Sequence, residues 1–97
     1  MARYRKLPVE IEAERVFTIL EYIKRDELEI LPKWVQENYK NGNIMLIPNS
    51  NFSVFLVKTL EGDILATLND YLVKGIDGEL YPCKIDIFNK TYEKVVD

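Results

Sequence analysis

An α+β fold, a small twisted antiparallel sheet curling toward a small barrel with two short helices on one face, is what the residue pattern predicts. Three observations carry it. A period-two stretch runs from Pro8 to Glu14, two helix-period stretches follow before Gly42, and strand-prone sequence then extends from Ile44 to Tyr81. No repeat, linker or low-complexity segment interrupts the chain, so residues 1–97 read as a single domain.

In the first stretch Val9, Ile11 and Ala13 alternate with Glu10, Glu12 and Glu14, the pattern of a strand with one wet face, and Pro8 suits its first position. Val16, Ile19, Leu20 and Ile23 then follow the i, i+3, i+4, i+7 spacing of an amphipathic helix over about Arg15 to Arg25. A continuing strand through Phe17, Ile19 and Glu21 is the rival. Asp26 to Leu31 is a polar connection. Pro32 opens a second helix carrying Trp34, Val35 and Tyr39, which Asn41-Gly42 stops. Beyond it, Ile44–Ile47 and Phe52–Thr59 are strands around a turn at Pro48-Asn49-Ser50-Asn51. Glu61-Gly62-Asp63 closes a hairpin onto Ile64–Leu68, and Tyr71–Lys74 and Glu79–Tyr81 flank Gly75-Ile76-Asp77-Gly78. Pro82 and Cys83 end the last of these strands, Asp86 caps a helical turn over Ile87–Lys90, and Thr91–Val96 has the propensity of a closing strand.

Composition narrows the function classes. Apolar residues at 47% and charged residues at 30% are the balance of a globular chain, not a disordered one. Net charge is −3, and the one basic cluster, Arg3, Arg5 and Lys6, reads as a solvated tail, which disfavours nucleic acid as a partner. The single cysteine excludes an internal disulfide and suits a reducing compartment. Apolar runs such as Phe52–Val57 fall far short of the ~20 residues a membrane helix needs, and no apolar signal region follows the basic N-terminus. The expectation is a soluble intracellular protein with no membrane partner.

The chain has no histidine, which removes Ser-His and Cys-His activation and most zinc sites. Cys83 is the one nucleophile left, with Lys84 beside it to lower its pKa; its simpler role is a small hydrophobe at a strand end. Glu10, Glu12 and Glu14 read as a solvated face, while Asp63, Asp70, Asp77 and Glu79 sit at or near turns, where Asp satisfies backbone. Asp77-Gly78 is a hairpin tip, too sparse in oxygens for calcium and lacking the order of a phosphate loop. No metal or cofactor is called for. Tyr71, Tyr81, Phe88 and Tyr92 alternate with Lys74, Lys84, Lys90 and Lys94, a surface able to stack on or clamp a planar anionic ligand. The alternative places Phe88 and two of the tyrosines in the core of the C-terminal hairpin and helix.

Two blocks carry a resemblance: Tyr4-Arg5-Lys6-Leu7-Pro8-Val9-Glu10-Ile11-Glu12-Ala13 at one end, and Asp70-Tyr71, Lys74-Gly75, Gly78 to Lys84, Asp86-Ile87-Phe88 and Thr91-Tyr92-Glu93 at the other. Together they resemble a group of small phage and prophage proteins with a Tyr-Arg-Lys-x-Pro-Val-x-Ile-Glu-Ala start and a Gly-Asp-Tyr-x-x-x-Gly-x-x-Gly-Glu-x-Tyr-Pro-Cys-Lys-x-Asp-Ile-Phe-x-x-Thr-Tyr-Glu end. Asn69 replaces the glycine before Asp-Tyr, and Glu14-Arg15-Val16-Phe17 stands where that pattern has an aromatic pair. The resemblance implies a phage-encoded protein acting in the host bacterial cytoplasm, and it carries no catalytic residues over.

The expected function is therefore that of a non-enzymatic accessory protein. It would bind a host or phage macromolecule, or a small ligand, through Asp70, Tyr71, Lys74, Glu79, Tyr81, Cys83, Lys84 and Tyr92. One alternative is a structural or assembly component that forms homo-oligomers through the Trp34 helix or a sheet edge ending at Val95-Val96-Asp97. Another is a small enzyme using Cys83 with Lys84 or Glu79 as helper.

Overall fold

A computed structural model of the chain describes residues 1–48, 50 and 52–96. Among the described residues six strands and three helices follow in the order β1 (Glu12–Arg15), α1 (Val16–Lys24), α2 (Lys33–Lys40), β2 (Ile44–Leu46), β3 (Ser53–Thr59), β4 (Gly62–Thr67), β5 (Asp70–Lys74), β6 (Leu80–Lys84) and α3 (Ile85–Thr91), with a 3-10 turn at Leu28–Ile30. The fold is α+β, as expected. Among the described residues the strands form two antiparallel three-stranded sheets, β1-β5-β6 and β2-β3-β4, and no closed barrel. Of the turn expected at Pro48-Asn49-Ser50-Asn51, Asn49 and Asn51 lie outside the described residues.

The split between sheets has a local cause at β4 and β5, which the sequence pattern joins as neighbours. The Asp70 carboxylate accepts the Thr67 backbone N–H at 2.8 Å, closing a tight turn with the donor that a β4–β5 ladder would have needed. β5 therefore leaves the plane of β4 and pairs with β1, from Glu12 opposite Lys74 to Arg15 opposite Tyr71. The two sheets meet where β3 packs against β6. Between them lies one core: Ile44, Phe55, Val57 and Ala66 from one sheet, Leu72 and Leu80 from the other, Val16 and Ile19 of α1, and Leu31, Trp34 and Val35 at α2. Trp34 is buried there and anchors α2 to the core.

The strand expected from Pro8 begins only at Glu12. β5 ends at Lys74, opposite Glu12, and turns away at Gly75, so the residues before Glu12 have no partner strand. The expected wet face of β1 is also corrected. Glu14 pairs with Leu72, whose side chain enters the core, so Glu14 shares that half-buried face and Ala13 faces the other way. Desolvation pushes the Glu14 carboxyl above its ordinary value, partly offset by a hydrogen bond with the Arg15 backbone. A carboxyl whose folded pKa is raised loses stability as pH climbs from its unfolded pKa through its folded one. Glu14→Gln is thus expected to raise Tm at pH 7 and to leave it unchanged below about pH 4, where both carboxyl states are protonated. Thermal melts across pH 3–8 check the sign.

Both core helices end in the same C-terminal motif. After α1 the N–H groups of Asp26 and Glu27 donate to the carbonyls of Ile23 and Tyr22, and after α2 those of Gly42 and Asn43 donate to Tyr39 and Asn38. The left-handed residue is Gly42, φ +81, in one case and Asp26, φ +57, in the other. A Cβ at Gly42 would touch nothing within 4 Å, so its cost is backbone strain alone. Gly42→Ala is expected to destabilise by about 1–2 kcal/mol, and Asp26→Gly to stabilise by about 0.5–1 kcal/mol, in urea unfolding. Equal responses at the two positions would contradict the shared motif.

The C-terminal elements differ in extent from expectation. Pro82 and Cys83 lie inside β6 rather than ending it, which an edge strand permits because the missing proline donor costs no ladder bond. α3 starts at Ile85 with Lys84 at its N-cap, and Asp86 sits in its first turn instead of capping it. No strand forms over Thr91–Val96: Thr91 closes α3, and Tyr92 is extended (φ −124°, ψ 151°) without a partner strand.

Candidate functional site

Period-two geometry divides the eight residues singled out in the sequence. Tyr71 pairs with Cys83 and Val73 with Tyr81, so Tyr71, Tyr81 and Cys83 share the face of the first sheet that turns away from the core. Asp70, Lys74 and Lys84 fall on the opposite face, and Glu79 sits in the β5–β6 connection. The alternating tyrosines and lysines therefore do not make one surface. Lys74 is instead held by Glu12 on the neighbouring strand at 3.0 Å, an exposed ion pair. Asp70 is buried and committed to the Thr67 turn.

At the hairpin tip the Gly75 N–H donates to the Glu79 carbonyl at 2.8 Å and the Gly78 N–H to the Gly75 carbonyl at 3.0 Å, with Gly78 at φ +83. This is the tight turn expected at Asp77-Gly78. The Glu79 carboxylate folds over Gly75 so closely that a Cβ there would run into its Oε1. Glu79 belongs to the turn, and its charge is a minor contributor to holding the Tyr81 phenol up.

The away face is covered by α3. Phe88 stacks on Tyr71 with ring centroids 3.8 Å apart and planes 13° from parallel, and Tyr92 follows at 5.0 Å from Phe88. The Tyr81 and Tyr92 hydroxyls share a hydrogen bond of 2.9 Å, which fastens the start of the C-terminal tail to β6. Burial first, and then that bond, hold the Tyr81 phenol well above its usual value. On the other side of the cluster the Arg15 guanidinium lies 5.7 Å from the Tyr71 ring centre. The aromatic set thus forms a second, smaller packed cluster, as the alternative in the sequence had it, and one side of it stays open.

That opening is a groove of about 730 Å³, within the range of small-molecule and peptide sites. Tyr71, Phe88 and Tyr92 give it an aromatic wall, and residues 8–11 and 93–95 line it as well. Of the eight expected residues, only Tyr71 and Tyr92 line it. Pro8, Val9, Ile11 and Val95 are what the sequence reading missed as site residues. Their signal was present as strand-forming apolar residues, but it is the lack of a pairing partner that leaves them facing a groove.

The surroundings of Cys83 disfavour its thiolate. Burial, and then the carboxylates of Asp70 and Asp86, push its thiol up, which corrects the expected lowering by Lys84. At pH 7–8 its alkylation by iodoacetamide is expected to be slower than that of a free cysteine peptide, converging only in alkali. A faster rate than the peptide's would restore it as a nucleophile. Comparison of the chain with family models, with curated proteins and with solved structures returned no match.

Proposed function

We propose that this chain is a non-enzymatic, phage-encoded accessory protein that acts in the host bacterial cytoplasm by binding a protein partner or a small ligand in the groove beside Tyr71, Phe88 and Tyr92. The observation that carries this reading is an aromatic wall left open where the rest of the cluster is packed. The raised Cys83 thiol and the turn-bound Asp70 and Glu79 favour binding over catalysis. The motif blocks at the two ends of the chain support a phage origin, and both contribute to the groove, through Pro8–Ile11 and through Tyr71, Phe88, Tyr92 and Glu93. An NMR titration with fragment-sized aromatic compounds tests the site. Shifts concentrated at Val9, Tyr71, Phe88 and Tyr92 support it, and their absence at about millimolar ligand, the weak end of measurable affinity, overturns it.

Assembly through self-association is the second reading, now carried by different residues. Met45, Leu56 and Leu65 form a cross-strand apolar row on the outer face of the second sheet, with Met45 and Leu65 about half exposed, and β4 is an edge strand. The edge proposed at Val95-Val96-Asp97 is not a strand over its described residues. Light scattering that shows a concentration-dependent dimer abolished by Leu65→Asp supports this reading; a strict monomer rejects it.

A further inference from the structure

Part of the groove is lined by chain that the fold itself does not hold. Residues 8–11 line it, yet among the described residues no hydrogen bond or ion pair engages the segment from Met1 to Ile11. The segment is anchored where β1 begins, at Glu12, which stands opposite Lys74 in the ladder and pairs with its ammonium at 3.0 Å. Among the described residues, its one directed contact with the rest of the molecule is at Lys6, whose Nζ lies 6.0 Å from the centre of the Tyr92 ring. Tyr92 is itself fixed, by Phe88 beside it and by the Tyr81 hydroxyl. Tyr4 and Leu7, the large side chains on either side of Lys6, are exposed, so apolar burial does not do the holding in its place. Six residue steps separate the anchor from the contact, up to roughly 20 Å of chain. Between them the sequence is stiff: Pro8 has its φ fixed, and Leu7, preceding a proline, is kept to extended backbone. Placing Lys6 therefore places Pro8, and with it the start of the lining.

We infer that the segment before β1 is a strap, hinged at Glu12 and clasped by Lys6 on Tyr92, which sets residues 8–11 against the groove and swings clear when the clasp opens. A cation over a ring at an exposed site shifts such an equilibrium by about two- to fivefold. That is enough to bias the strap shut and too little to lock it, so a ligand meets the groove in both states. Lys6 is a positioning residue: it acts through the lining that it places. The strap goes beyond the reading of the groove as a binding site, because its position is measurable with no ligand present.

Heteronuclear NOEs of the backbone amides in the full chain test this. Lys6→Met keeps the length of the side chain and removes the cation. It is expected to lower the NOEs at Val9, Glu10 and Ile11 while Tm stays as in the unaltered chain, since Lys6 is exposed. Lys6→Arg keeps a cation and should hold them. Tyr92→Phe keeps a ring and should hold them too, whereas Tyr92→Leu should lower them as Lys6→Met does. In titrations with aromatic fragments, Lys6→Met should weaken binding by up to the same two- to fivefold, because the strapped state is less populated. Unchanged NOEs in Lys6→Met, or a loss that Lys6→Arg shares, overturn the inference. Equal fragment affinity in the two chains also overturns it, since residues 8–11 would then be no part of the bound site. If the NOEs respond as expected and no fragment binds either chain, the strap stands and the binding reading alone falls.

Discussion

Phe55→Ala is expected to cost about 3–5 kcal/mol in urea unfolding, the range for deleting a buried aromatic side chain. Phe55 is fully buried at the middle of β3, pairs with Leu46 on one side and Ala66 on the other, and belongs to the core cluster that both sheets and two helices share. A domain of this size has a total stability of order 5–15 kcal/mol, so the variant stands near the edge of folding. The cavity cannot close by movement of one element, because the residues around it come from separate sheets and helices. A loss under about 1 kcal/mol would contradict the placement of β3 at the centre of the core.

Asp70→Ala is the second large effect, expected at about 1–3 kcal/mol because the Thr67 N–H loses its acceptor in a part-buried turn. Asp70→Asn keeps an oxygen for that donor and should recover most of the loss. The pair of variants separates two roles for this residue. If Asp70 bound a ligand, both substitutions would impair binding with little change in stability. If it closes the turn that directs β5 out of the plane of β4, alanine lowers Tm and asparagine largely does not. Binding of groove ligands by the asparagine variant should stay as it is in the unaltered chain.

Local chemistry was legible in the sequence wherever one segment sufficed to decide it. The spacing of Val16, Ile19, Leu20 and Ile23 marked α1, Pro32 and Gly42 bracketed α2, and Gly62 and Gly78 marked hairpins that form where expected. The Schellman end at Asp26 carries no glycine, so its left-handed residue could not be read from composition. The site was legible only in part. Tyr71 and Tyr92 were singled out, but of the lysines set beside them in the sequence Lys74 and Lys84 lie on the far face of the sheet, and Lys94 alone of the four lines the groove. A list of residues along a chain does not record which face each one takes until the strand bounds and register are known.

What the sequence determined by itself was the α+β class, the two core helices, the hairpin turns and a chain without histidine. Each depends on periodicity, a turn residue or the presence of a residue type, all of which act within a few positions. Pairing was decided only in the tertiary structure. One side-chain hydrogen bond, from the Thr67 N–H to Asp70, turns a meander into two sheets, and the end of β5 at Lys74 strips Pro8–Ile11 of its partner. The same strand-forming residues that would close a sheet then flank an open groove, because hydrogen bonding between strands depends on what lies beside a segment in space and not on the segment's own propensity.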